Sequence, residues 1–222
     1  MKSRGIAFGW KGGGFLFSNR QPICGLVLAA GLSSRMGDFK PLMPFRGKTM
    51  IENTVGSVLN GGAQSVVVVT GYRCTEVEAV LRRRYGNRVI LIRNPDFAET
   101  DMLRSIQIGC SSMPSCDAFF LLPGDMPVVC QTTFQKLLRA RPPDAPGLVF
   151  PTLRGFRKHP PLVDARLIPE IIAFRGSGGL RQLWQQHEDI IFTVPVDDEG
   201  VWVDLDTQPD YQICRQTYEF AK

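Results

Sequence analysis

The chain has 222 residues, of which 44% are hydrophobic, 21% charged and 9% aromatic, a balance that excludes the disordered and fibrous classes. The 26 Lys and Arg against 21 Asp and Glu give a formal charge of +5, which invites an anionic partner such as nucleic acid or an acidic membrane. Lys2, Arg4, Lys11 and Arg20, however, all fall in an acid-free, glycine-rich stretch at residues 1–22, and the remainder carries 22 basic against 21 acidic residues. The bulk charge therefore argues for neither partner. Residues 1–22 read as a flexible basic leader, and residues 23–222 as one folded domain. No run approaches the roughly 18 apolar residues of a membrane-spanning helix. The six cysteines form no CxxC pair, which fits free thiols in a reducing, cytoplasmic compartment without a structural zinc.

Taken in chain order, ICGLVLAAG at residues 23–31 predicts a buried strand. Residues 49–59 place Met50, Ile51, Val55, Val58 and Leu59 at helical spacing, and SVVVVT at 65–70 predicts a second strand buried on both faces. There follow a helix over 75–85, with Thr75 as its cap, a strand over 88–92, a helix over 101–111, the strand DAFFLL at 117–122 and a helix over 131–141. Apolar strands alternating with amphipathic helices predict an α/β fold: a mostly parallel central sheet covered by helices on both faces, a three-layer α/β/α domain. Beyond the turn-rich RPPDAPG come a strand at LVFPT, a cation-rich loop RGFRKHPP, and helical signals at 165–174 and 179–187. The chain closes with IIFTVPV, an alternating strand VWVDLD and a last helix after Pro209.

The first strand opens into LAAGLSSRMGDFK at residues 28–40. Small residues and Gly31 let backbone N–H groups approach phosphate oxygens, while Arg35 and Lys40 neutralise charge; this suits a triphosphate, though an ordinary solvated turn is the alternative. Gly47-Lys48-Thr49 resembles the end of a P-loop, but Leu42 stands where the first glycine belongs. No GxGxxG opens the first βα unit, which disfavours a dinucleotide site of that kind. The chain does resemble the nucleotidyltransferases related to molybdenum cofactor cytidylyltransferase and guanylyltransferase, whose opening signature LAAGxSxRMGxxK is matched by Leu28, Ala29, Ala30, Gly31, Ser33, Arg35, Met36, Gly37 and Lys40. Further matches are KPLMP at 40–44, VTGY at 69–72, Asn94-Pro, PGDMP at 123–127, HPP at 159–161 and DLDT at 204–207.

The resemblance implies a nucleotide-diphospho-sugar transferase-like fold and a magnesium-dependent transfer of a nucleoside monophosphate from CTP or GTP. The implied acceptor is a phosphorylated small molecule such as molybdopterin, and the implied protein partner is a molybdoenzyme or its chaperone. Arg35, Lys40 and Asp125 would be catalytic, with Leu28 to Gly31, Ser33, Arg35, Lys40, Thr70, Gly71 and Ser105 around the nucleotide. Asp125 stands in a Pro/Gly turn at the carboxyl end of DAFFLL, the edge where open α/β sheets bind ligands, and a carboxylate there suits magnesium. Alternation in VWVDLD would put Trp202, Asp204 and Asp206 on one strand face. By resemblance Asp206 is the second metal ligand, with Asp204 as its alternate. His159 falls in the loop that the family places near the acceptor.

The family's usual Gly-Met followed by a serine pair is replaced here by Thr100-Asp101-Met102-Leu103-Arg104-Ser105, so the base stays open. The segment 175–181, with three glycines and Arg175 and Arg181, could offer a further anion site or be a plain helix connection. Arg82, Arg83 and Arg84 end a predicted helix, where cations favour the helix dipole, and lack the aromatic interleaving of a single-strand binder. His187 would likewise be a partner for a helix end. Two other readings stand beside this one: transfer to a sugar or alcohol phosphate, and a non-catalytic nucleotide- or cofactor-binding chaperone.

Overall fold

The computed structural model describes residues 22–32, 38–203, 205 and 207–219. Residues 1–21 of the leader and four of the expected site residues, Ser33, Arg35, Asp204 and Asp206, lie outside the described residues. The elements run β1 (Ile23–Ala29), β2 (Pro44–Phe45), β3 (Lys48–Thr49), α1 (Met50–Asn60), β4 (Ser65–Thr70), α2 (Cys74–Tyr85), β5 (Val89–Arg93), α3 (Met102–Ser111), β6 (Ala118–Pro123) and α4 (Gln131–Ala140). They continue with β7 (Leu148–Leu153), β8 (Phe156–Arg157), β9 (Leu162–Asp164), α5 (Ile168–Ala173), α6 (Gly179–Gln186), β10 (Ile191–Pro195) and α7 (Gln208–Glu219).

The main sheet has the order β10-β7-β9-β6-β1-β4-β5, with β8 hairpinned onto β7 and β2-β3 forming a separate small ladder. Strands β6, β1, β4 and β5 are mutually parallel, as are β7 and β10, while β9 is antiparallel to both its neighbours. Period-two alternation sorts the side chains onto two faces. Val27 of β1, Val66 and Val68 of β4, and Phe120 and Leu122 of β6 meet α1, α2 and α4. Leu26, Val67, Val69, Phe119 and Leu121 meet α3, α5 and α6. The two apolar layers around one sheet are the expected three-layer α/β/α fold. A smaller cluster of Met43, Phe45, Met50, Val128, Leu205, Tyr211 and Cys214 docks α7 beside β2 and β3. Among the described residues, no helix is long and apolar enough to cross a membrane.

Helix starts follow local chemistry. Thr49 accepts from the Glu52 N–H while the Glu52 carboxylate accepts from the Thr49 N–H at 2.8 Å, a capping box that starts α1. Asp101 accepts from the Arg104 N–H at 3.1 Å and starts α3. The expected Thr75 cap is corrected: α2 begins at Cys74 behind Arg73, which adopts a left-handed φ of 49° and makes no side-chain cap. Its guanidinium instead reaches forward to Glu76.

The expected VWVDLD strand is also corrected. Residues Glu199–Val201 form a 3-10 turn, and Trp202 continues it. Buried Asp198 accounts for this: its carboxylate accepts from the Gly200 N–H, the Cys130 N–H and the Thr133 hydroxyl at 2.9, 2.8 and 2.7 Å. Two of these bonds tie the segment to the start of α4, and the third closes it locally into a turn.

Candidate active site

The carboxyl ends of β1, β4 and β6 share one edge of the sheet, and the loops leaving them are drawn tightly together. Gly124 donates its N–H to the Leu28 carbonyl at 2.8 Å, and its own carbonyl accepts from Thr54 of α1 at 2.9 Å. Glycine is required where these turns touch. A Cβ on Gly71 would stand 2.6 Å from the Ala30 carbonyl and 2.7 Å from Cβ of Phe97, and one on Gly124 would stand 3.0 Å from the Leu28 carbonyl.

Beside these turns lies a cavity of about 320 Å³ whose walls include Leu28, Ala29, Ala30, Gly31, Lys40, Ser105 and Asp125. The structure thus brings together seven of the residues expected from the sequence. Lys40 opens a 3-10 turn, Lys40–Leu42, and is 7% exposed. Its Nζ lies 3.4 Å from Oδ2 of Asp125, so that a cation held largely out of water faces a carboxylate at the cavity. Ser105 accepts from Nδ2 of Asn94 at 3.1 Å and retains a hydroxyl proton to donate. Asn94 is itself buried and saturated: it also donates to Thr100, accepts from the Asp96 N–H, and gives its own N–H to the Thr70 carbonyl.

Two expected contacts sit behind the cavity rather than in its wall. Thr70 is fully buried, with its hydroxyl donating to Ile92 and Glu78 at 3.3 Å, and Gly71 is buried against Ala30 and Phe97. They shape the floor. Thr54, which anchors the Asp125 turn, and Phe97 in the wall were not singled out from the sequence, whereas Thr100 and Met102, also in the wall, belong to the segment 100–105 that replaces the family's Gly-Met and serine pair. A threonine inside an otherwise apolar helix face was the signal for Thr54.

Sharing Leu28, Asp101, Met102 and Pro123 with the first, a second cavity of about 910 Å³ extends toward β8 and α6. His159 is among the residues that line it. The residue is exposed, with Nδ1 3.4 Å from the Leu121 carbonyl. Partial desolvation by the surrounding protein holds its pKa below the usual imidazole value against the opposing pull of the Leu121 carbonyl and Asp125. Arg157 grips Glu188 through both nitrogens at 2.9 and 2.7 Å across the rim, and Gly178, Gly179 and Arg181 stand at the start of α6. The segment 175–181 therefore does face a cavity.

The remaining expectations fall elsewhere. Arg82, Arg83 and Arg84 are exposed in the last turn of α2, and His187 pairs with Glu170 at 2.8 Å. All six cysteines are free. Among the described residues no group of three or more His, Cys, Asp or Glu is arranged to hold a metal ion. Asp125 does present a hard oxygen donor at the cavity, the chemistry magnesium selects.

The chain is similar to known proteins over most of its length. Over 195 residues the chain is 28% identical to the molybdenum cofactor cytidylyltransferase of Escherichia coli, covering 87% of this chain and 95% of that protein. It is 29% identical over 192 residues to the nicotine blue oxidoreductase of Paenarthrobacter nicotinovorans, covering 83% of this chain and 92% of the relative. A solved nucleotidyl transferase from Methanothermobacter thermautotroptrophicus superposes with a TM-score of 0.72 at 28% identity, covering 88% of this chain and 97% of that one. Residues 25–190 match the MobA-like NTP transferase domain, so the chain belongs to that family and is a nucleotidyltransferase.

Proposed function

We propose that the protein transfers CMP from CTP to the terminal phosphate of molybdopterin, releasing pyrophosphate. The observation that carries the transfer chemistry is the Lys40–Asp125 pair at 3.4 Å in the wall of a cavity bounded by Gly31. The acceptor phosphate oxygen forms a bond to the α-phosphorus, the bond from that phosphorus to the bridging oxygen breaks, and the electron pair leaves with pyrophosphate. Charge is the obstacle to this displacement, and no nucleophilic side chain is required. Lys40 neutralises the triphosphate, together with Arg35, while Ser105 donates its hydroxyl to the nucleotide. Asp125 would hold magnesium with Asp206, or Asp204 as its alternate; the metal when bound supplies further neutralisation of the phosphate charge. His159, neutral at pH 7, orients the acceptor as a hydrogen-bonding group rather than a cation.

Support for CTP and molybdopterin comes from the 28% identity to the cytidylyltransferase over nearly its whole length. Pyrophosphate release tests the reading: with molybdopterin as acceptor, CTP should be turned over in preference to GTP, ATP and UTP. Turnover confined to UTP with a sugar phosphate would replace it by transfer to a sugar. The same 29% relationship to an oxidoreductase motivates a parallel assay for redox turnover, expected to be negative.

A further inference from the structure

Phe156 stands at the tip of the β7–β8 hairpin, 62% exposed, in the wall of the 910 Å³ cavity. A single exposed apolar side chain is ordinary, but the surroundings of this one fix where its ring stands. The hairpin turns through Arg154 and Gly155, whose φ values of 53° and 80° are the left-handed pair that matches the twist of two strands, and Phe156 is paired in register with Leu153. Behind Phe156 lies Trp202, in an edge-to-face contact with centroids 6.0 Å apart and planes at 77°. Trp202 is in turn fixed by two cations: Lys158 Nζ is 3.2 Å from its ring centroid, and the Arg154 guanidinium, ion-paired to Glu199 at 2.7 Å, is 5.6 Å away. The phenyl ring is thus buttressed from the rear and bare toward the cavity, where Met102, 60% exposed, offers a second apolar surface.

We infer that Phe156 is a stacking platform for the non-reacting end of the acceptor, which is therefore a flat conjugated ring rather than a flexible polyol. This rests on the reading of the larger cavity as the acceptor site and deepens it by naming the residue that selects the acceptor's body. A preorganised ring loses little rotamer freedom on stacking, and an aromatic pair gains from dispersion and quadrupole contact that a flexible polyol chain cannot return. Trp202 acts through Phe156 as a positioning residue.

The test is binding, not turnover, with 1-naphthyl phosphate and glycerol 3-phosphate as probes, titrated calorimetrically into the full-length protein saturated with CTP and magnesium. The expected result is that naphthyl phosphate binds more tightly to the parent protein, that Phe156→Ala weakens it about tenfold with glycerol phosphate unchanged, and that Phe156→Tyr restores it. Trp202→Ala should give an intermediate loss for the aryl phosphate alone. Circular dichroism confirms folding, which an exposed position tolerates. Equal affinities for the two phosphates, an equal loss for both in Phe156→Ala, or no binding of naphthyl phosphate to the parent would overturn the inference. Failure of CMP transfer to molybdopterin is read separately, by pyrophosphate release, and leaves the binding result standing.

Discussion

The two connected cavities are built in opposite ways. The smaller is walled by the ends of buried parallel strands, with Lys40, Ser105 and Asn94 almost wholly out of water and two glycines pressed against backbone carbonyls. The larger takes its distinctive walls from a two-residue strand, a short helix and the loops beside them, with Phe156, Arg157, Arg181 and Glu188 all exposed. The first can hold charge in fixed positions because Lys40 and Ser105 are packed into the protein beside strand ends that belong to the core. The second can be altered residue by residue at little cost to the fold. Phosphate chemistry is thus set by the scaffold, and acceptor choice by replaceable side chains.

Substitutions can break this contrast. The largest effect is expected for Lys40→Met: pyrophosphate release should fall by about 10²–10³, with unfolding in urea changed by less than about 1 kcal/mol, because a methylene chain replaces the cation and Asp125 stays partly hydrated. A loss of stability as large as the loss of rate would make Lys40 a scaffold residue. Gly71→Ala tests the floor: with backbone 2.6 Å away the new methyl cannot be accommodated, and a destabilisation of about 1–3 kcal/mol is expected by urea titration. Ser105→Ala should weaken nucleotide binding about five- to tenfold by calorimetry, the worth of one hydrogen bond, while leaving acceptor affinity alone.

The smallest effect concerns pH. With its folded pKa below the unfolded value of about 6.5, His159 contributes stability that is complete above that pH and lost as pH falls through the folded pKa. His159→Gln should therefore flatten the decline of urea stability toward acid; an unchanged pH profile would show that the ring is solvated in both states.

Much of the smaller cavity was legible in the sequence because continuous apolar runs and local turn chemistry encode it. SVVVVT and DAFFLL admit only strands buried on both faces, and a Gly/Pro turn at such a strand's carboxyl end marks an edge where ligands gather. The larger cavity was less legible. β8 and β9 are two and three residues long, too short for any periodicity, and their pairing with β7 is set by tertiary contact. The misread VWVDLD shows why patterns fail there: Val201 and Leu205 are indeed buried and Trp202 exposed, yet residues 199–202 form a turn, because alternating burial constrains side chains and not backbone. Asp198, which enforces that turn, takes its partners from α4, 65 to 68 residues away. Likewise Thr70 matched a motif at the right strand end, but only the fold reveals that its hydroxyl is spent on Ile92 and Glu78.

The Lys40–Asp125 pair in the wall of the strand-end cavity serves nucleotidyl transfer in this reading. That role is tested most directly by the rate of pyrophosphate release from CTP, with molybdopterin as acceptor and magnesium present, in the parent protein and in Asp125→Ala. A fall of about 10²–10³ is expected in the variant, with its fold intact. An unchanged rate in the variant, or no pyrophosphate from the parent, would contradict it.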